Sequence, residues 1–244
     1  TFDTPIRTAV KSFQGDPSLT DEHLLPKYKT MFETAPEPGG AGWLTFNFKS
    51  SYKQTLEGMI VFQHNSDARD SIHAVGFGYL NGALAAGGFF DAATSNGIWL
   101  AGDYQQEWPA KRIPSANDGP SAQAATTAQV ARMFTLIADR LLVDRQSSEE
   151  MLDDLIGRSG TWLTHTTPNA LPASAEVKVT HAKVGRGPLN AGGEVVSEAE
   201  IVHAKAADKW FIVVWQNLSG PLNTTNLKPI AVLIENTILE FLKP

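Results

Sequence analysis

The chain has 244 residues, of which 42% are hydrophobic, and a formal net charge of −6 at pH 7. This length and hydrophobic content are enough for one large or two small domains with a buried core. The acidic balance argues against binding to nucleic acid or to an anionic membrane surface, since both attract basic patches. No stretch approaches the roughly 18 consecutive apolar residues of a membrane-spanning helix. The chain has no cysteine, which excludes disulfide bonds and thiolate metal sites.

The first 50 residues predict two short helices, a loop and an extended segment. Apolar residues recur at helical spacing up to Phe13 and again from Leu24 to Phe32, and residues 18–22 have the composition of a helix cap. Residues 36–42 are rich in proline and glycine and predict a loop. Residues 43–48 alternate like a short strand or an extended bridge.

Helices are predicted on either side of a polar segment at residues 64–68. One helix runs from Thr55 into His64-Asn65-Ser66-Asp67-Ala68, and a small-residue helix follows from Gly76 to Gly87.

A second helical region follows residue 125. Thr126 or Thr127 is suited to cap its first helix, and that helix is expected to end, and a second one to be capped, within residues 142–152. The first helix carries one apolar stripe, made of Val130, Met133, Phe134, Ile137 and Leu141.

The C-terminal third predicts three antiparallel strands and a closing helix. The strands are residues 177–184, 194–204 and 209–217, each with alternating apolar and polar residues and separated by turn chemistry. The helix is predicted over residues 226–242, with Pro229 in its first turn. Its apolar side contains Ile230, Leu233, Ile234, Ile238, Phe241 and Leu242.

Three of these segments together resemble the class A β-lactamase and penicillin-binding superfamily. Lys183-Val184-Gly185, at a strand end before two strands and a helix, is similar to the Lys-Thr-Gly or Lys-Ser-Gly motif of that superfamily. His64-Asn65-Ser66 stands where Ser-Asp-Asn is expected when Ala68 is aligned with the family alanine; a shift of two residues places Ser66-Asp67 there instead. Residues 113–134 resemble the exit from the omega loop into a "Thr-Thr-Ala, then Ala-Arg" helix.

The resemblance extends over roughly residues 55–244 and implies a fold of the α/β class, α+β in type. A β-lactamase-like domain has an antiparallel sheet flanked by N- and C-terminal helices, together with an all-helical subdomain. We therefore expect a single domain over residues 1–244, with the helical subdomain at about 18–160 and the sheet with its C-terminal helix at about 161–244.

The same resemblance implies the roles of the predicted site residues. Lys183 is expected to bind a substrate carboxylate or to tune neighbouring pKa values, and Gly185 lines the strand beside it. The backbone N–H of Arg186 is expected to contribute to an oxyanion hole. His64 replaces the family serine as a candidate proton shuttle, with Asn65 and Ser66 beside it in the altered motif; a hydrogen-bonded histidine at a helix end is the alternative interpretation. Val184 lacks the hydroxyl with which family members hold the substrate carboxylate, a departure from a penicillin-like substrate site.

Glu107 lies one place away from the position where class A enzymes keep a deacylating glutamate, counted back from Ile113-Pro114. It is a candidate general base for activating water. A solvated loop carboxylate is the alternative interpretation.

The serine nucleophile, which the family supplies as Ser-x-x-Lys, has no clear counterpart. Ser50-Ser51-Tyr52-Lys53 fits the letter of the motif but lies only 14 residues before His64, and Thr8-Ala9-Val10-Lys11 precedes a helix stop at residues 12–17. The remaining alternatives are a nucleophile upstream of Thr1 or its loss. Three strands alone would leave a long exposed sheet edge, so we expect an upstream segment, a partner chain or strands within residues 1–50 to cover it.

These features lead to two alternative functions. The first is a β-lactamase-like serine hydrolase that cleaves an amide, ester or β-lactam through an acyl-enzyme; the second is a non-catalytic protein that keeps the fold for a binding or structural role. The six histidines are scattered and none forms the His-x-x-x-His spacing of a zinc site, so no metal and no cofactor are expected. The expected partner is a small-molecule or peptide substrate. The resemblance implies an extracytoplasmic location, periplasmic or secreted.

Overall fold

The computed structural model describes residues 33–36, 44–47, 52–102, 112–113, 123–156, 177–189, 192–219 and 224–243. The chain divides into two compact units. The first contains Thr1–Ser115 and Ser121–Ala124, and the second contains Ala116–Pro120 and Ala125–Pro244.

The first unit begins with a small sheet of its own. Strand β1 (Glu33–Pro36) pairs antiparallel with β2 (Leu44–Asn47), in a register that sets Pro36 opposite Leu44. The extended segment at residues 43–48 is confirmed by β2. The sequence analysis did not predict β1, because a four-residue strand that ends in proline gives a loop signal rather than an alternating pattern.

Three helices and a short hairpin follow in the first unit. They are α1 (Tyr52–Ile60), α2 (Asn65–Val75), α3 (Phe77–Ala86), β3 (Phe90–Asp91) and β4 (Asn96–Gly97). Helices α1 and α3 confirm the two helices predicted on either side of residues 64–68, and α2, which begins within that segment, was not predicted. Gly76, with a positive φ of 88°, lies between α2 and α3, and the glycine at 87 follows the end of α3.

Two buried or half-buried amides fix the backbone that follows the hairpin. Asn81 of α3 is 3% exposed; its side chain donates to the C=O of Leu100 over 2.9 Å and accepts from the Leu100 N–H over 2.8 Å. Gln123 accepts from the N–H of Ala101 over 2.7 Å and donates to the C=O of Gly102 over 2.5 Å. Because both amides satisfy backbone groups in pairs, they hold residues 100–102 in one conformation.

The second unit begins with two capped helices. Helix α4 (Thr127–Ala138) has Thr126 as its N-cap, whose hydroxyl accepts from the N–H of Gln129 over 3.3 Å. Helix α5 (Arg145–Leu155) has Asp144 as its N-cap, whose carboxylate accepts from the N–H of Ser147 over 2.7 Å. The two predicted helix starts are thus confirmed.

The three-stranded sheet and the closing helix complete the second unit. The strands β5 (Val177–Pro188), β6 (Glu194–Ala204) and β7 (Lys209–Ser219) pair antiparallel in the order β5-β6-β7. Helix α6 (Thr224–Leu242) follows. The predicted meander and helix are confirmed, with β6 as the central strand and β5 at one edge.

The two faces of this sheet are covered by different helices. Val179, Ala182 and Val202 form a buried cluster with Ala231 and Ile238 of α6. Because side chains alternate between faces along a strand, Lys183 and its cross-strand neighbour Ala199 lie on the opposite face. Helix α4 contacts β6 and β7, and helix α5 contacts β5. These contacts complete the helical cover of the sheet in this unit.

Four details of the helix predictions are wrong. Leu141 is 66% exposed because α4 ends at Ala138, before the apolar period reaches it. Leu233 and Phe241 are each 65% exposed, since the buried stripe of α6 is centred on Ala231 and Ile238. Pro229 lies in the second turn of α6 and not in its first, because the helix begins at Thr224.

Within the described ranges, no helix is both long enough and apolar enough to cross a membrane.

Candidate functional site

Lys183 is half-buried on the edge strand of the second unit. It lies on the face of β5 that points away from α6, and its Nζ donates to the C=O of Val184 over 2.8 Å. Burial lowers the pKa of the Lys183 ammonium below its usual range, because the charged form is desolvated there. The Lys183 ammonium therefore lies close to the interior, and it interacts more strongly with an anion there than a fully hydrated lysine does.

His181 lies on the same face of β5, two residues before Lys183, and the sequence analysis did not select it. The Thr180 hydroxyl donates to the C=O of Ile201 over 3.0 Å, so it must accept from His181 Nδ1, which lies 2.8 Å away. Burial lowers the pKa of His181, partly offset by the negative charge of Asp153. A half-buried imidazole thus lies beside Lys183 with its tautomer set by Thr180.

Gly185 and Arg186 continue β5 beyond Lys183 and both are exposed. In the register of the sheet they lie opposite Ser197 and Val196 of β6. A Cβ built on Gly185 meets no atom within 4 Å, so packing does not explain why this position is glycine. The structure places Lys183, Gly185 and Arg186 along one edge strand.

The predicted motif of the first unit lies at the start of α2. His64 is the residue before the helix, and its imidazole makes no capping hydrogen bond. Its Nδ1 lies 2.9 Å from Oδ2 of Asp67, one turn into the helix. The His64 side chain is 59% exposed, so its imidazole ring is accessible from solvent.

Asn65 and Ser66 are the first two residues of α2, and both are exposed. The structure therefore brings His64, Asn65 and Ser66 together at one helix start. That this group and the β5 group form a single site stays a prediction.

Several predicted residues lie outside the described residues. These are Glu107 and the alternative nucleophiles Thr8, Ser50 and Ser51. Lys53, the last residue of the Ser-x-x-Lys match, is exposed in the first turn of α1.

Sequence reasoning also missed a buried carboxyl pair in the second unit. Glu198 and Glu200 of β6 are 2% and 0% exposed, and both lie on the face that packs against α6. Burial, together with the charge and hydrogen bonding of Glu198, raises the pKa of Glu200 to about 9. The available signal was a Glu-x-Glu pattern in the middle of the central strand.

The part of the chain that the structure describes contains no group of three or more histidine, aspartate or glutamate side chains placed to hold a metal ion.

The architecture of the chain is that of the β-lactamase-like fold. It combines a helical unit, an antiparallel sheet with a Lys-x-Gly edge strand, and a closing helix packed on the sheet. The fold expected from the resemblance is confirmed by its likeness to solved structures of β-lactamases.

Three solved structures illustrate this likeness. A variant of the last common ancestor of Gram-negative bacteria class A β-lactamase, bound to 5(6)-nitrobenzotriazole, has a TM-score of 0.52 and 17% identity over 96% of this chain and 80% of its own. A second variant of that ancestor has a TM-score of 0.51 and 16% identity over 80% of this chain and 66% of its own. The β-lactamase from Sphaerobacter thermophilus has a TM-score of 0.51 and 11% identity over 99% of this chain and 83% of its own.

No protein-family model matches the sequence, and no curated protein matches it. At identities of 11 to 17%, the structural likeness establishes the fold.

Proposed function

We propose that this protein is a β-lactamase-like serine hydrolase that cleaves an amide, an ester or a β-lactam through an acyl-enzyme. The observation that carries the proposal is Lys183, a half-buried lysine of lowered pKa on the edge strand of a β-lactamase-like sheet. A strand holds such a cation more rigidly than a loop does, which suits the recognition of an anionic substrate group.

The proposed reaction has two steps. A hydroxyl attacks the carbonyl carbon of the substrate and its proton passes to a base, while the leaving group departs with a proton; water then cleaves the acyl ester and releases the acid. In this scheme Lys183 binds the carboxylate of the substrate beside Gly185, and the Arg186 N–H stabilises the oxyanion. His64 carries protons, with Asn65 and Ser66 beside it. Glu107 is the proposed base for the water that attacks the acyl ester.

Covalent labelling tests this proposal and identifies the nucleophile. The protein is incubated with a fluorescent penicillin and, separately, with an activated ester, and the intact mass is measured before peptide mapping. We expect the mass of one acyl group on a single hydroxyl, together with turnover of nitrocefin or of the ester. Heat-denatured protein is the control for nonspecific acylation, and the absence of an adduct with every reagent would refute the hydrolase.

We also propose that the protein acts outside the inner membrane, in the periplasm or as a secreted protein, since its proposed substrates are amides and esters of the cell-wall and antibiotic type. Fractionation of producing cells, followed by immunodetection of the chain, is expected to recover it with periplasmic or secreted markers. Recovery with cytoplasmic markers alone would contradict this location.

A further inference from the structure

We infer that Asp67 is a positioning residue for His64: it keeps the proton on Nδ1 and leaves Nε2 as the atom that accepts and returns a proton in acyl transfer. The catalytic part of this inference rests on the proposed hydrolase function. The structural part concerns only the contact between the two side chains.

The geometry of the pair defines the tautomer. His64 Nδ1 and Asp67 Oδ2 are 2.9 Å apart, and a carboxylate oxygen only accepts hydrogen bonds. Nδ1 is therefore the donor, and in a neutral imidazole the lone pair then lies on Nε2. A carboxylate in this relation to a histidine selects the tautomer and orients the ring of the base in serine hydrolases generally.

The backbone before α2 holds His64 in place. Its N–H donates to the C=O of Gly58 in α1 over 2.9 Å, and Gln63 before it adopts a left-handed conformation with φ 58°. A non-glycine residue in that conformation is uncommon and costs conformational energy, so the turn is defined by its surroundings. On the ring itself, Phe62 stacks with a centroid distance of 5.8 Å and an interplanar angle of 26°.

A simple helix-capping role does not account for these contacts. The His64 side chain makes no hydrogen bond to the backbone of α2, although it occupies the N-cap position. An aspartate in the first turn of a helix is favourable by itself. That general effect, however, does not require its Oδ2 to meet an imidazole nitrogen.

Gly58 allows the Asp67 carboxylate to reach this position. A Cβ built on Gly58 would lie 1.9 Å from Oδ2 and 2.7 Å from Cγ of Asp67. A side chain at position 58 is thus expected to displace the carboxylate from His64. The glycine lies inside α1, where alanine would otherwise be the better helix former.

Gly58→Ala is therefore a test that removes no charged group. We propose to record the ¹⁵N chemical shifts of the histidine rings at pH 8 in the wild type, Gly58→Ala and Asp67→Ala, with His64→Gln to assign the His64 signals. The wild type is expected to show a protonated Nδ1 and an unprotonated Nε2 on His64. Both variants are expected to lose this preference. A double variant that combines Gly58→Ala and Asp67→Ala is expected to match Asp67→Ala alone, because Gly58 acts only through the carboxylate.

Asp70→Ala is the matched control, because Asp70 lies in the second turn of the same helix and pairs with Arg69. It is expected to leave the His64 tautomer unchanged. A wild-type His64 with the proton on Nε2, or an unchanged tautomer in Gly58→Ala and Asp67→Ala, would overturn the positioning role.

The activity of the same variants separates this inference from the proposed function. With a substrate that acylates the wild type, Gly58→Ala and Asp67→Ala are expected to lower kcat about tenfold while KM stays within about twofold. Unchanged kcat with a changed tautomer would refute the catalytic part. If the wild type turns over no substrate, the hydrolase proposal fails, and the ring ¹⁵N shifts still decide whether Asp67 sets the tautomer.

Discussion

Glu200→Gln is expected to stabilise the protein at alkaline pH and to flatten the dependence of its stability on pH. Glu200 is fully buried in β6, and its pKa is raised to about 9 by burial and by the nearby Glu198. Glutamine has nearly the same shape and carries no proton that titrates in this range. The substitution therefore removes a buried carboxyl group that must keep its proton in the folded state.

The direction of the effect follows from linkage between protonation and folding. In the unfolded chain the Glu200 carboxyl titrates near its ordinary value of 4.5. Between that pH and about 9 the folded protein keeps a proton that the unfolded chain has released. The contribution of Glu200 to stability is therefore complete at acid pH and falls as the pH rises, by up to roughly tenfold in the folding constant for each pH unit.

The surroundings of Glu200 explain why the charge cannot form in place. In the register of the sheet it lies between Ala182 of β5 and Val213 of β7, with Val202 next along the same face. Glu198 is the neighbouring acid in β6, and Glu235 of α6, 1% exposed, is a further carboxyl in the same unit. A second negative charge among these groups would meet low polarity and repulsion together.

Urea unfolding from pH 5 to pH 9 measures this effect through the intrinsic tryptophan fluorescence. The difference in unfolding free energy between Glu200→Gln and the wild type is expected to be smallest at pH 5 and to grow in favour of the variant as the pH rises. Glu194→Gln, a half-buried position at the start of the same strand, makes the same charge change and is the control. Wild-type and Glu200→Gln curves that run parallel across this range would contradict the prediction.

Local sequence patterns predicted the elements of the second unit well because each pattern has a single physical cause there. Alternation predicted β5, β6 and β7, since successive side chains of a strand point to opposite faces of the sheet. Thr126 predicted one helix start and the polar segment that contains Asp144 indicated another, because both side chains satisfy N–H groups that the helix itself leaves free. These signals act within a few residues and need no tertiary information.

Two of the wrong details depend on tertiary contacts. Leu233 and Phe241 fit an apolar stripe by spacing, but Ala231 and Ile238 face the sheet and Glu235 is buried with them. Only the position of α6 on the sheet decides which side of that helix is covered. The short strand β1 likewise exists through its pairing with β2, which no local pattern encodes.

The candidate site was predicted in part. The motif at residues 183–185 and the helix start at 64–66 could be selected from the sequence because each matches a family segment. The carboxylate beside His64 was also visible as a His–Asp pair three residues apart, a spacing that places two side chains together at a helix start. Which of the two ring nitrogens carries the proton could be assigned only from the distance between the His64 and Asp67 atoms.

Lys183→Met is expected to slow acylation by a carboxylate-bearing substrate by roughly 10- to 100-fold, because it removes one charge-assisted hydrogen bond to that carboxylate. A neutral activated ester that lacks a carboxylate is expected to lose less than about threefold, because it makes no such contact. The second-order rate constant for acylation, measured with both substrates, gives the comparison. Lys178→Met is the control, since Lys178 is an exposed lysine on the same strand.

The pH dependence of the same reaction distinguishes a Lys183 ammonium that binds the substrate from one that only stabilises the strand. Burial lowers the pKa of Lys183, so its positive charge is lost at a lower pH than for an ordinary lysine. Acylation by the carboxylate substrate is therefore expected to fall as the pH rises through that lowered pKa. In Lys183→Arg the cation persists, since a guanidinium does not lose its proton in this range, and the alkaline fall is expected to disappear.

If Lys183 has only a structural role, its substitution is expected to affect the two substrates equally. If the side chain only filled space on β5, methionine would replace its aliphatic part and both substrates would react at nearly wild-type rates. If it only stabilised the strand, Lys183→Met would shift the urea midpoint and affect the two substrates equally. A selective loss for the carboxylate substrate, with an alkaline limb that arginine removes, is expected only when the ammonium contacts the substrate in the rate-determining complex.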